Sequence, residues 1–277
     1  MAVVNTNVGA SVAQAALVKN ARELNSAMTQ LSTGRKINSA ADDASGLAIT
    51  NRMTSQINGL GMAIKNANDG ISMIQTAEGA LDEVTDMLQR MRELAVQASS
   101  GTMSAADNDY LDLEFEALKA EIERVAQNTE WNGTAILDDT VGTTGSVDFQ
   151  VGVDSTQTIT VDFGDLTAAT GTGSGFSAAD LDTNTLAGTA IGLLDTAIEA
   201  ISNQRATFGA AANRLEHAVD NLTNVKVNAE ASRSRIMDTD YAESTAELAR
   251  TQIIQQAGTA MLAQANQLPQ TVLALLQ

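Results

Sequence analysis

Met53, Leu60, Ala67, Ile74, Leu81, Leu88 and Ala95 recur every seven residues, and no other feature of the 277-residue chain restricts its fold as tightly. A helix returns to nearly the same face after seven residues, whereas a strand alternates every two, so the column demands a helix. Ile57, Ile64 and Ile71 flank it early; Val84, Met91 and Ala98 flank it later on the other side. A straight helix drifts about 20° per heptad against a 3.5-residue repeat, and a stripe that changes flank follows that drift. Such a helix of about 55 residues would span about 80 Å. Gly59, Gly61, Gly70 and Gly79 lie inside it, each at a cost of about 1 kcal/mol. Close contacts from a neighbouring helix are the expected compensation. A second column, Leu194, Ile201, Phe208, Leu215, Leu222, Ala229 and Ile236, provides a long partner.

The ends repeat the theme on a shorter scale. Ala10, Ala13, Leu17, Ala21, Leu24, Met28 and Leu31 are spaced three or four apart, and so are Ile254, Ala257, Met261, Ala265, Leu268, Val272 and Leu275. Both segments read as amphipathic helices with a coiled-coil-like seam, able to pair along their length. Neither has much core of its own, so each needs a partner in its own chain or in neighbours. Between the long columns, Leu111, Phe115, Leu118, Ile122 and Val125 mark a shorter helix, with Ser104 and Asp107 as candidate caps. Val147, Phe149, Val151 and Val153, then Ile159, Val161 and Phe163, alternate with polar residues around Asp-Ser-Thr-Gln, which predicts a β-hairpin. Residues 167–180 read as an exposed loop.

The fold class is therefore mainly α: a long antiparallel helical rod with paired N- and C-terminal helices and a small β-hairpin near the middle of the chain, capping the far end. Residues 1–42 and 241–277 supply the two halves of the terminal pair, with a linker over 32–45. Residues 43–240 form the rod, with helices over 46–100, 107–126 and 190–236 and a β and loop element over 138–180.

Charge separates the same pieces. The net charge is −18. Within 1–45 and 241–277, Lys19, Arg22, Arg35, Lys36 and Arg250 balance Glu23, Asp42, Asp43, Glu243 and Glu247, so the middle carries the whole excess. Neutral ends are free to pack against many copies of themselves, while an acidic middle prefers water. The same charge argues against nucleic acid and anionic membranes as partners. The N-terminus lacks the basic start and dense apolar run of a cleavable leader, and no apolar stretch is long enough to span a bilayer.

No motif supports enzymatic chemistry. Gly34-Arg35-Lys36 lacks the first glycine of a phosphate loop, Thr29 standing in its place, and no strand precedes it. Arg35 and Lys36 read as cations at the C-terminal end of the first helix and Gly34 as its terminator. Adjacent residues on a helix point about 100° apart, so Asp42 and Asp43 do not converge on one reacting atom. They read as N-terminal charges of the long helix, with Ser39 or Asp42 as its cap. Asp138–Asp139 and Asp238/Asp240 read as loop or cap residues. The single histidine, His217, and the absence of cysteine leave no usual zinc set. Trp131 reads as a packing anchor at a turn. Neither a cofactor nor a metal site is expected, and no nucleophile, base and orienting group fall together.

Leu31–Ile49 (LSTGRKINSAADDASGLAI) resembles the N-terminal signature of bacterial flagellins. NANDGISMIQTAEGAL at 66–81, MLQRMRELAVQASSGT at 87–102 and NTEWNGTAIL at 128–137 are similar to the same family in the same order, and 231–277 resembles its C-terminus. The resemblance implies a short flagellin without large outer domains, the subunit of an extracellular motility filament. It also implies export as an unfolded chain through the flagellar secretion channel and assembly as a helical homopolymer. The family's terminal helices line an inner core, and the matching apolar positions here are Leu17, Leu24, Met28, Leu31, Ile254, Met261, Leu268, Val272 and Leu275. The resemblance further implies an export chaperone on residues 235–277, filament-cap and hook-junction proteins as partners, and recognition by a vertebrate innate immune receptor. Gln89, Arg90, Leu94 and Glu114 match the receptor-recognised pattern. A filament-junction protein would share the terminal helices but match the rod motifs less well. A chemoreceptor-like hairpin would leave the β-hairpin and neutral ends unexplained.

Overall fold

A computed structural model describes residues 7–167 and 179–274, with side chains as far as residue 267. The described chain is built from helix α1 (Val8–Thr33), α2 (Ala44–Ala98), α3 (Ala105–Asn128), α4 (Asn184–Met237) and α5 (Tyr241–Ala274). Two small antiparallel hairpins lie between α3 and α4: β1 (Glu130–Trp131) with β2 (Thr134–Ala135), and β3 (Ser146–Gln150) with β4 (Thr158–Asp162). The chain divides into two compact units, Met1–Ser55 with Asn228–Gln277, and Gln56–Val227. Their boundaries fall inside α2 and α4.

In the unit of residues 56–227, the two heptad columns meet as the sequence requires. Leu60, Ala67, Ile74, Leu81, Leu88 and Ala95 are buried, as are Leu194, Ile201, Phe208 and Leu215. The flank shifts as well: Ile57 is buried early, Val84, Met91 and Ala98 later. The helices run antiparallel, as the ion pairs Arg92–Asp195 (2.5 Å) and Arg205–Asp82 (2.9 Å) show. Helix α4 starts six residues before its expected position, because Ala187 and Ala190 are also buried and extend the face.

Helix α3 starts at a full capping box. The Ser104 hydroxyl accepts from the Asp107 N–H (3.3 Å), and Ser104 N–H donates to the Asp107 carboxylate (3.1 Å). Phe115 and Ile122 then enter the core. Trp131 sits at a two-residue turn, with Asn132 (φ 52°) and Gly133 (φ 78°) both left-handed, as a tight hairpin requires.

The larger hairpin has the expected alternation and register, with Val147 opposite Val161 and Phe149 opposite Ile159. Its position differs from expectation. It lies along α2 instead of capping the far end: a Cβ at Gly70 would sit 3.0 Å from the Phe149 ring, and one at Gly59 2.7 Å from Val153. The hairpin, not a neighbouring helix, therefore occupies the space those two glycines leave. Gly79 faces open space, so no contact compensates it. Phe163, just past β4, stacks tilted against Phe208 of α4 with centroids 5.3 Å apart, tying the hairpin to the helical core.

In the unit that joins the termini, α1 and α5 pack against each other. Its buried positions are small or polar, namely Asn20, Ala27, Gly46, Thr50, Ser244 and Thr251, with Ile37 the one large aliphatic among the described residues.

Candidate functional site

The joint between α1 and α2 is held by backbone hydrogen bonds. Gly34 adopts φ 69°, and its N–H closes α1 on the Gln30 carbonyl (2.9 Å). Arg35 and Lys36 lie beyond that cap, so they are not last-turn cations. Lys36 N–H donates to the Met237 carbonyl (2.7 Å) and Thr239 N–H to the Gly34 carbonyl (3.1 Å), a short antiparallel bridge between the two ends of the chain.

Asp42 and Asp43 divide the remaining work. Asp42 accepts from the N–H groups of Asn38 (3.0 Å) and Ser39 (2.8 Å), closing the linker turn. Asp43, not Ser39 or Asp42, caps α2 by accepting from the N–H groups of Ser45 (3.0 Å) and Gly46 (2.9 Å). These bonds hold both carboxyls below the usual range, with the Ser39 N–H the main cause for Asp42 and the Gly46 N–H for Asp43. A Cβ at Gly46 would lie 2.6 Å from Ile37 Cδ1, so any larger residue there would have to displace the Ile37 side chain beneath the cap. Both aspartates are committed to backbone donors and form no acid–base pair.

The terminal pair differs from the seam that spacing alone suggests. Leu17, Leu24 and Leu31 are half-buried, and Leu17 lies against Gly258. Met28 is 53% exposed, Ile254 40% and Met261 65%. The inward face of α5 instead carries Ser244, Leu248, Thr251, Gln255, Gly258, Leu262 and Ala265. That row also steps by three and four, but polar and small residues within it give no hydrophobic signal. Met28, Ile254 and Met261 point outward, joined by Val8, Val12, Val18 and Ile253, which the spacing did not single out. The side chains of Leu268 and Val272, and Leu275 entirely, lie outside the described residues.

On the other unit, Gln89, Arg90 and Glu114 are exposed, and Arg90 binds Glu114 (2.9 Å) and Glu93 (3.0 Å). Leu94 is 1% exposed, so its side chain packs in the core beneath them and offers no surface. The structure also brings together Asp112, Asp180 and Asp182, whose carboxylate oxygens lie within 4.8 Å of one another. Burial, with the charges of Asp180 and Asp182 in support, raises the Asp112 pKa, while the Leu181 N–H opposes it. Separation along the chain hides this cluster from motif reading. Asp138 accepts from its own turn at Thr140, and Asp240 accepts from the Ala242 N–H at the start of α5, as loop and cap residues do. His217 is exposed on α4. No helix among the described residues is long and apolar enough to cross a membrane.

Two family models match: the bacterial flagellin N-terminal helical region over residues 4–142 and the C-terminal helical region over 191–276. A flagellin of Halalkalibacterium halodurans is 47% identical across 99% of this chain and 100% of its own length. Flagellin A of Vibrio anguillarum is 36% identical over 99% of each. Among solved structures, Bacillus cereus flagellin is 38% identical with TM-score 0.50, covering 57% of this chain and 88% of its own. A structure described as a flagellar hook-associated protein from Vibrio parahaemolyticus shares the fold at 14% identity, with TM-score 0.57, over 71% of this chain and all of its own.

Proposed function

Because this chain belongs to the bacterial flagellin family and is a structural subunit of the extracellular flagellar filament, we propose that its copies join through the outward faces of α1 and α5. The observation that carries this reading is the inversion of the terminal pair. The fully buried positions of the seam within the chain are small or polar, with Leu17, Leu248 and Leu262 only half-buried beside them, while Val12, Val18, Met28, Ile253, Ile254 and Met261 stand open to solvent. Uncovered aliphatics on two adjacent helices are a contact surface for like helices, and contacts that do not close give an open helical polymer. Leu17, Leu24 and Leu31 belong to the same contact zone at its half-buried edge. Leu268, Val272 and Leu275 extend it by sequence.

Changing Met28 or Met261 to Asp tests this. Each charge falls on an exposed side chain, so the helicity of the subunit in solution stays unchanged by circular dichroism. Filament growth, followed by sedimentation and negative-stain microscopy, stops. Normal filaments from both variants would show that this face is not the contact.

The same open face, with Ile253, Ile254 and Met261, suits an export chaperone that covers 235–277 before assembly. Export as an unfolded chain belongs to this reading, since the terminal pair gains most of its burial only in the polymer. Filament-cap and hook-junction proteins meet the same terminal helices at the two ends of the filament. An innate immune receptor would read Gln89, Arg90 and Glu114, with Leu94 holding the helix beneath them. A structural subunit of this kind needs no cofactor and no catalytic site.

A further inference from the structure

We propose that Asn20 and Gly258 key α1 and α5 into a single register, and thereby decide which aliphatic faces the pair offers to neighbouring copies; the second half of this inference rests on the assembly reading above. Asn20 is 4% exposed, and its Nδ2 donates to the Thr251 carbonyl (2.8 Å). Its Oδ1 is buried without a partner. An amide half satisfied in a seam is a poor choice for stability, since a buried polar atom left unpaired is costly. A polar residue at one seam position is a known device for fixing register at a cost in stability.

Steric fit supplies the other half of the key. Leu17 enters the gap left by Gly258, where a Cβ would lie 2.6 Å from its Cδ2. Every other described position on the inward face of α5, from Ser244 to Ala265, carries a Cβ. Leu17 therefore has one seat. Asn7 Nδ2 donates to the Ala265 carbonyl (2.7 Å), which agrees with the same antiparallel alignment. Sliding α5 by one heptad, about 10 Å, would drive Leu17 against Thr251 or Ala265. It would also displace Ile253, Ile254 and Met261 relative to Val12, Val18 and Met28. The outward faces would then no longer match those of a neighbour in the native register.

The absence of cysteine makes register directly measurable. Buried Ala27 and Ser244 lie seven residues beyond Asn20 and seven before Thr251, so they face each other in the native alignment. Ala27→Cys with Ser244→Cys reports that register; Ala27→Cys with Thr251→Cys reports a slip of one heptad and leaves the Thr251 backbone acceptor intact. Each reporter pair is placed in the otherwise native chain and in a chain carrying Asn20→Leu and Gly258→Ala. Disulfide yield after mild oxidation is read by mass spectrometry, and filaments by microscopy. In the native background the 27–244 bridge is expected to exceed the 27–251 bridge by about tenfold, the ratio that a preference of about 1.4 kcal/mol gives. In the substituted background the ratio falls towards parity and filament yield falls with it. Leucine and alanine are better helix formers than asparagine and glycine, so circular dichroism should show no loss of helix. An unchanged bridge ratio would overturn the register key, whatever the filaments do. A lost ratio with undiminished filaments would overturn its link to assembly. Absence of filaments from the native-register reporter would count against the assembly reading alone, because the bridge ratio is read without them.

Discussion

The same substitution, Gly→Ala, is expected to have opposite effects at two positions nine residues apart in α2. At Gly79 nothing lies within 4 Å of the Cβ that alanine would add. The change there removes backbone freedom from the unfolded chain and adds helix propensity, a gain of about 0.8–1.0 kcal/mol. In a domain of this size that raises Tm by about 2–4 °C. At Gly70 the propensity gain is the same, but the new Cβ would meet three carbons of the Phe149 ring at 3.0–3.1 Å. Those distances are shorter than ordinary van der Waals contact, and the ring is held by its strand pairing to Ile159. Relieving the overlap moves the hairpin or forces Phe149 from its rotamer, at about 1–3 kcal/mol. The net effect at Gly70 is therefore a loss of up to about 2 kcal/mol, and the two variants differ by about 1–3 kcal/mol. Thermal denaturation of the unassembled subunit, followed at 222 nm, measures both. Gly79→Ala should melt above the parent and Gly70→Ala at or below it. Equal rises would show that the hairpin does not rest on α2 at Gly70 and would undo the account of why a long helix tolerates these glycines.

Phe208→Ala removes a fully buried ring that stacks on Phe163; a loss of about 3–5 kcal/mol is expected, seen as a drop in Tm far larger than that of Gly70→Ala. The joint should be acid-labile. Asp42 and Asp43 have lowered pKa values in the folded chain, so their contribution is complete above the ordinary carboxylate range and is lost as pH falls through the lowered values. Hydrogen-exchange protection of the Asn38, Ser39 and Gly46 amides should follow that course, and loss of protection on raising the pH from neutral would refute it. Asp112 has the opposite sign: its raised pKa favours the protonated folded form, so stability is lost as pH rises through the raised value. Asp112→Asn, which keeps an acceptor for the Leu181 N–H, should raise Tm at neutral pH and give no gain in acid.

Two long helices, a short capped helix and a hairpin were legible in the sequence because each is specified locally. A heptad column names a helix without reference to anything it touches. Ser104 and Asp107 carry a capping signal within four residues, and alternation about a short turn names the hairpin and its register. The acidic middle and neutral ends were likewise plain from charge alone, and with the ordered motifs they were enough to point to the family.

Tertiary structure decided what those elements do to one another. Residue spacing showed that α5 has an apolar row, but not that Ile254, Ala257 and Met261 within it face away from α1, because a polar seam of Asn20, Ser244 and Thr251 is invisible to a hydrophobic pattern. The glycines of α2 looked like sites of helix contact, and Gly61 does lie beside Lys226 of α4, yet Gly59 and Gly70 receive the hairpin and Gly79 receives nothing, since a missing Cβ does not say what fills its space. The resemblance grouped Leu94 with Gln89 and Arg90 in the receptor-recognised pattern, but Leu94 is core, because it lies on the same face as Met91 and Ala98. The adjacent aspartates of the joint looked like one charged pair and proved to be a turn lock and a helix cap. In each case sequence specified what the local backbone would do, and only packing in three dimensions chose the partner.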